Sequence, residues 1–145
     1  MNAHKRHLKS LGFALLLLSD IALADIFVIT HPQSELNELS KKECIDIFMG
    51  RARRLPNGDK FEAIDQAKGS DIRNNFYTKL TGKSVSYINA YWARLFYTGR
   101  VQPPADNFKN SQEIIKEVTE NPSAIAYISK EDLSSKVKVV YTIKN

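Results

Sequence analysis

The stretch with the most chemical promise is Lys68-Gly69-Ser70-Asp71-Ile72-Arg73. It joins an alternating segment, Phe61 to Asp65, to a segment with apolar residues Ile72, Phe76 and Leu80 at i, i+4 and i+8. That pattern predicts a strand, a loop and a helix N-terminus, where backbone N–H groups lack intrahelical partners and the helix dipole is positive. Gly69 lets the backbone approach a ligand, Ser70 supplies a hydroxyl, and Arg73 one turn later offers a two-pronged guanidinium. Such a set fits an oxyanion such as phosphate or sulfate, and Gly69, Ser70, Asp71 and Arg73 are the candidate binding residues. The same residues also fit a simpler reading, with Ser70 as a plain N-cap, Arg73 as a solvated side chain and Asp71 opposing an anion by its charge.

Other chemistry is thinly represented. Asp46, Asp59, Glu62 and Asp65 are spread over a helix, a turn and a strand, which reads as solvated surface rather than an acid–base pair. His31 follows a strand and precedes Pro32, a turn position. No nucleophile stands with a base, and no P-loop or dinucleotide fingerprint is present. The chain therefore reads as a non-enzyme with no catalytic residues, no metal site and no cofactor. Arg51, Arg53, Arg54 and Lys60 surround the Pro56-Asn57-Gly58 turn, either as a patch that steers an acidic partner or as a solvated loop face. Tyr87, Tyr91, Trp92, Phe96 and Tyr97 crowd one predicted helix, so part of it is free to meet a partner beyond the core.

The elements that position these residues follow from local patterns. Ile26 to Thr30 reads as a buried strand. Ser40-Lys41-Lys42-Glu43 is a capping box that opens a helix over Lys41 to Met49, stopped by Gly50 and burying Cys44, Ile47 and Phe48. Ser84 opens a helix over Val85 to Thr98, with Val85, Ile88, Trp92, Leu95 and Phe96 on its apolar face. Val101 to Asn107 is a surface loop stiffened by two prolines, and Ser111 is expected to cap a helix carrying Ile114, Ile115 and Val118. Ala124 to Ile128 and Val137 to Ile143 read as strands, the latter with Val137, Val139, Tyr141 and Ile143 on one face. This order predicts an α/β layer architecture with at least some parallel strands joined by right-handed crossovers.

The first residues read as an export signal. A basic segment from Asn2 to Ser10 precedes the apolar run Leu11 to Leu18, and Ala22-Leu23-Ala24 has the form of a cleavage site. The apolar run is shorter than the roughly 20 residues a spanning helix needs. Residues 1–24 are thus expected to be a signal peptide cleaved after Ala24, leaving residues 25–145 as one periplasmic domain with no membrane span. Cleavage lowers the formal charge from +5 to +3, with 18 bases against 15 acids, and it leaves His31 as the lone histidine. A nucleic-acid partner loses its basis with that charge. Cys44, among Leu39, Ile45 and Phe48, reads as a buried structural thiol.

Three stretches in order resemble the phosphate ABC-transporter substrate-binding proteins of the type 2 periplasmic-binding-protein superfamily. They are Leu39-Ser40-Lys41-Lys42-Glu43 with Ile47-Phe48-Met49-Gly50-Arg51, then Phe61 to Asp65 with Gly69-Ser70-Asp71-Ile72-Arg73 and Phe76, then Asn121-Pro122-Ser123-Ala124-Ile125-Ala126-Tyr127-Ile128. The chain departs from the family where Asp71 and Ile72 replace Gly and Thr, and where Ala126 replaces Gly. The resemblance implies a small three-layer α/β domain equivalent to one lobe of a two-lobed binding protein, the second lobe by its motifs. It also implies a residual oxyanion site at Gly69, Ser70, Asp71 and Arg73, with phosphate favoured. The expected role is exported solute binding in phosphate uptake or sensing. The alternative is an envelope interaction module that kept the fold, docking on a protein partner or on a second copy as a homodimer.

Overall fold

The computed structural model describes residues 24–99 and 101–145. The expected signal peptide lies outside the described residues apart from Ala24. In chain order the elements are β1 (Ile26–Thr30), α1 (Lys41–Phe48), β2 (Glu62–Ala63), α2 (Asp71–Thr81), α3 (Val85–Phe96), α4 (Ser111–Glu120), β3 (Ala124–Ser129), a short 3-10 turn (Lys130–Asp132) and β4 (Lys138–Ile143). The strands form one mixed sheet in the order β2-β3-β1-β4. β1 pairs antiparallel with both β3 and β4, while β2 runs parallel to β3. No helix among the described residues is long and apolar enough to cross a membrane.

Alternation along the central strands divides the core into two sides. Ile26 and Val28 of β1 and Ile125 and Tyr127 of β3 face α1, α2 and α3. Ile29 of β1 and Ala124, Ala126 and Ile128 of β3 face α4, which contributes Ile114 and Val118. The result is the expected three-layer α/β arrangement, with β1 and β3 buried on both faces.

The caps explain where the helices start. Ser40 and Glu43 form the complete capping box of α1, with Ser40 N–H donating to Glu43 at 2.7 Å and Glu43 N–H donating to Ser40 at 3.1 Å. Ser84 caps α3 and accepts from Tyr87 N–H at 3.2 Å. α4 begins differently from expectation. Asn110, not Ser111, is its N-cap, accepting from Glu113 N–H at 2.9 Å. Ser111 is buried instead and receives a hydrogen bond from the Gln66 side chain at 3.2 Å.

Three further expectations are corrected by long-range packing. β4 does not keep one apolar face. Its pairing with β1 shifts between Val28 and Ile29, so Val137 and Val139 serve the α4 side while Val140 and Ile143 serve the other. A bulge of this kind changes which residues point inward. The loop after α3 is not wholly at the surface. Pro104 is buried, and Ala105 bridges in parallel to Ile64, prolonging the short β2 edge. Phe96 leaves the apolar face of α3 and is 60% exposed.

Gly50 shows how closely α1 and α3 approach. Its φ is +70°, and a Cβ there would lie 2.5 Å from Trp92 Cη2 and 2.6 Å from Val101 Cγ1. Gly58, at φ +90°, has open space around it. Gly50→Ala is expected to cost about 2–4 kcal/mol, backbone strain and overpacking together. Gly58→Ala is expected to cost about 1–2 kcal/mol from the backbone alone. Urea denaturation of the two variants checks this, and equal midpoints would show that the Trp92 contact adds nothing.

Candidate functional site

The end of β2 delivers Asp65 into the interior, where its carboxylate collects four donors. Gln66 N–H and the Tyr127 hydroxyl donate to Oδ1, the former at 2.8 Å. Arg73 Nε and the Tyr77 hydroxyl donate to Oδ2 at 3.1 and 2.9 Å. Asp65 is therefore not the solvated carboxylate that the sequence suggests. It is 3% exposed, as is Arg73.

Each partner is held by its element. Arg73 and Tyr77 stand at i and i+4 on α2, one above the other on the face turned to the sheet, and their side chains lean back toward the helix N-terminus. The Arg73 guanidinium carbon lies 5.2 Å from the Tyr77 ring centroid, close enough for cation–π attraction. Tyr127 comes from β3, beside the end of β2. Its ring stacks on Phe76 with centroids 3.6 Å apart and planes within 4°. Phe48 of α1 meets both rings edge-on. Gln66 closes the group, its side-chain N–H donating to the Tyr127 carbonyl at 2.9 Å.

Burial pushes the Asp65 carboxyl above its ordinary range, and the Tyr127 hydroxyl, the Arg73 charge and the Tyr77 hydroxyl pull it part of the way back. Burial, then the Asp65 charge, push both Tyr77 and Tyr127 well above the usual phenol range. The buried Cys44 thiol is pushed up to about 12 by desolvation and then by Glu43, in keeping with the expected inert thiol.

A cleft of about 380 Å³ opens beside this network. Asp65, Arg73 and Trp92 supply its buried part, and the exposed Phe96 and Tyr97 stand at its rim. Lys68 and Asp106 also line it and face each other at 3.6 Å. Two buried N–H donors of lining residues have no acceptor among the described residues, Arg73 Nη1 and Trp92 Nε1. Buried donors are normally satisfied, so two unpaired ones in the lining of one cleft are exceptions to that rule.

The four residues singled out from the sequence are placed unequally. Arg73 lines the cleft. Gly69, Ser70 and Asp71 do not. Gly69 is exposed at φ +80°. Ser70 caps α2, its oxygen accepting from Arg73 N–H at 3.4 Å while its hydroxyl donates to the Ala67 carbonyl at 2.6 Å. Asp71 is exposed in the first helical turn. Asp65, Tyr77, Tyr127 and the indole N–H of Trp92 escaped the sequence reading. The one available signal was Arg73 and Tyr77 at i, i+4 beside the apolar Phe76 and Leu80. A charged residue on the inward face of a helix requires a buried counter-charge.

No protein-family model matches the sequence, and no curated protein matches it. Solved structures do. A Clostridium perfringens protein assigned as a phosphate ABC transporter substrate-binding protein, solved with bound phosphate, superposes with a TM-score of 0.65 at 20% identity. An ABC-type phosphate transport receptor from Vibrio cholerae gives 0.63 at 16%, and PstS from Borrelia burgdorferi gives 0.61 at 14%. Each match covers 82% of this chain but only 45%, 47% and 48% of the respective neighbour. The chain thus has the fold of about half of a substrate-binding protein, a single lobe, and the family resemblance of its sequence is a resemblance of fold as well.

Two predictions follow from the network. Arg73→Ala strands the Asp65 charge in the interior and is expected to cost about 3–5 kcal/mol. Replacing both charges, as in Asp65→Asn with Arg73→Met, is expected to restore most of that loss. Denaturation of the singles and the double checks the coupling, and strictly additive losses would disprove it. The second concerns alkaline pH. The folded state keeps its proton on Cys44, Tyr77 and Tyr127 after the unfolded chain has lost them, from about pH 9 for the thiol and pH 10 for the phenols. The native state then binds more protons, so stability is full below pH 9 and falls as pH rises, by about 1.4 kcal/mol per pH unit for each group. In Tyr127→Phe the slope above pH 10 should be shallower by one such group, as read from urea midpoints between pH 8 and 11.

Proposed function

We propose that this chain is an exported, non-catalytic solute-binding domain that takes a small oxyanion, phosphate favoured, at the cleft beside α2. The observation that carries this reading is the buried Arg73 guanidinium. Nε is spent on Asp65, and Nη1 is left without an acceptor in a residue that lines the cleft. An oxyanion would accept from such a donor through a charge-assisted hydrogen bond. Gly69, Ser70 and Asp71 lie outside the lining of this cleft, and the Ser70 N–H and hydroxyl both already donate to the Ala67 carbonyl. Lys68, 72% exposed in its side chain, adds positive charge at the mouth. The fold shared with phosphate-transport proteins, one of them solved with phosphate bound, supports the same ligand class and an extracytoplasmic place of work.

A second reading has its own observation. Tyr97 is 89% exposed and Phe96 60%, side by side at the end of α3. Exposed aromatics of this size suit an envelope protein partner or a second copy of the chain.

Calorimetry on residues 25–145 with phosphate, sulfate and chloride distinguishes the two. The expected result is phosphate binding that is lost in Arg73→Lys, which keeps the charge but not the planar fork. A circular-dichroism melt shows that this variant is folded. Absence of heat at millimolar phosphate from folded wild-type protein would overturn oxyanion binding and favour the interaction module.

A further inference from the structure

The cleft carries more than an anion-sized feature. It is about 380 Å³, within the roughly 300–1,000 Å³ range of clefts that enclose organic molecules. Arg73 and Trp92 are buried lining residues, and each carries a buried N–H with no partner among the described residues. The rest of its surface is largely carbon. The Trp92 ring, Pro103, Pro104 and the rings of Phe96 and Tyr97 border it. A tetrahedral inorganic anion seated against Arg73 would touch few of these groups and would leave the aromatic wall in water. Two further carboxylates, Asp65 and Asp106, also line the cleft, and each is already turned toward a cation, Arg73 or Lys68. Each cation is thereby partly neutralised, which weakens the attraction for a bare multiply charged ion and leaves apolar contact as the larger remaining source of affinity.

We propose that the ligand of this cleft is an organic oxyanion, a phosphate or phosphonate group carried on a small aromatic or apolar body. The oxyanion accepts from Arg73 and from the indole N–H of Trp92. The body lies along Pro104 and the exposed rings of Phe96 and Tyr97. The inference rests on the oxyanion reading above and names its substrate class. The aromatic rim is then part of the ligand site.

The test is a competition between three probes on residues 25–145: inorganic phosphate, phenylphosphonate and benzyl alcohol. Phenylphosphonate is expected to bind about tenfold or more tighter than inorganic phosphate, with no binding of the neutral alcohol at the same concentration. Phe96→Ala changes an exposed position and leaves the core intact. It is expected to remove most of the phenylphosphonate advantage while leaving inorganic phosphate unchanged. Equal affinity for the two anions, or an advantage that survives Phe96→Ala together with Tyr97→Ala, would overturn the organic-ligand inference and leave the oxyanion reading standing. Failure of both anions to bind would overturn both.

Discussion

The constraint on which the rest of the structure depends is the buried Asp65 carboxylate. It sits at the end of a two-residue strand, the weakest element of the sheet by length, and binds that end to the helix and the strand that flank it. Arg73 and Tyr77 reach it from α2, and Tyr127 reaches it from β3. Four donors around two oxygens leave the carboxylate fully solvated by protein, which is the condition under which a charge can remain inside. The stacked Phe76 and Tyr127 rings and the edge of Phe48 then exclude water from the same place. Sheet, helical layer and cleft thus share one polar joint. A change at any of its members acts on stability and on the shape of the cleft together.

Legibility in the sequence followed the range of the interactions. The Ser40–Glu43 box, the Ser84 cap and the buried strand β1 depend on neighbours a few residues away, and all three are readable. The joint at Asp65 depends on contacts 8, 12 and 62 residues distant. From the sequence Asp65 was one acid among several, and no local rule distinguishes it from Asp59 on its exposed turn. The bulge in β4 was hidden for a related reason. It is set by pairing with β1, and the string of valines reads equally well in either register. Asn110 and Ser111 are both good caps, and the buried Gln66 side chain drew Ser111 into the interior.

The loop before α2 has its polar groups committed locally. A Gly-Ser loop before a helix does place Ser70 at the N-cap, where its oxygen accepts from Arg73 N–H. The hydroxyl proton goes to Ala67 at 2.6 Å, which leaves the side chain with nothing to offer outward. Arg73 was weighed as a fork or as a solvated side chain. It is neither alone, because burial splits its roles: Nε serves the fold while Nη1 is left open. The split explains why a guanidinium is suited to this position and an ammonium is not. A planar group with five N–H donors in fixed directions can hold a structural carboxylate on one edge and present other donors elsewhere, whereas an ammonium is a compact point charge.

The position of the orphan donors also bears on how a single lobe could bind at all. Hydrogen bonds at an open surface exchange with water at a net of about 0.5–1.5 kcal/mol each. Arg73 Nη1 and Trp92 Nε1 are closed off from water, so a ligand oxygen, no smaller than water, pairs with either one only when neighbouring side chains shift. Leaving such a donor unpaired costs about 1–3 kcal/mol. The exposed Lys68–Asp106 pair at the mouth is in high dielectric and contributes mainly to encounter. The proposed site therefore rests on the buried end of the cleft, at Arg73 and Trp92, more than on its exposed mouth.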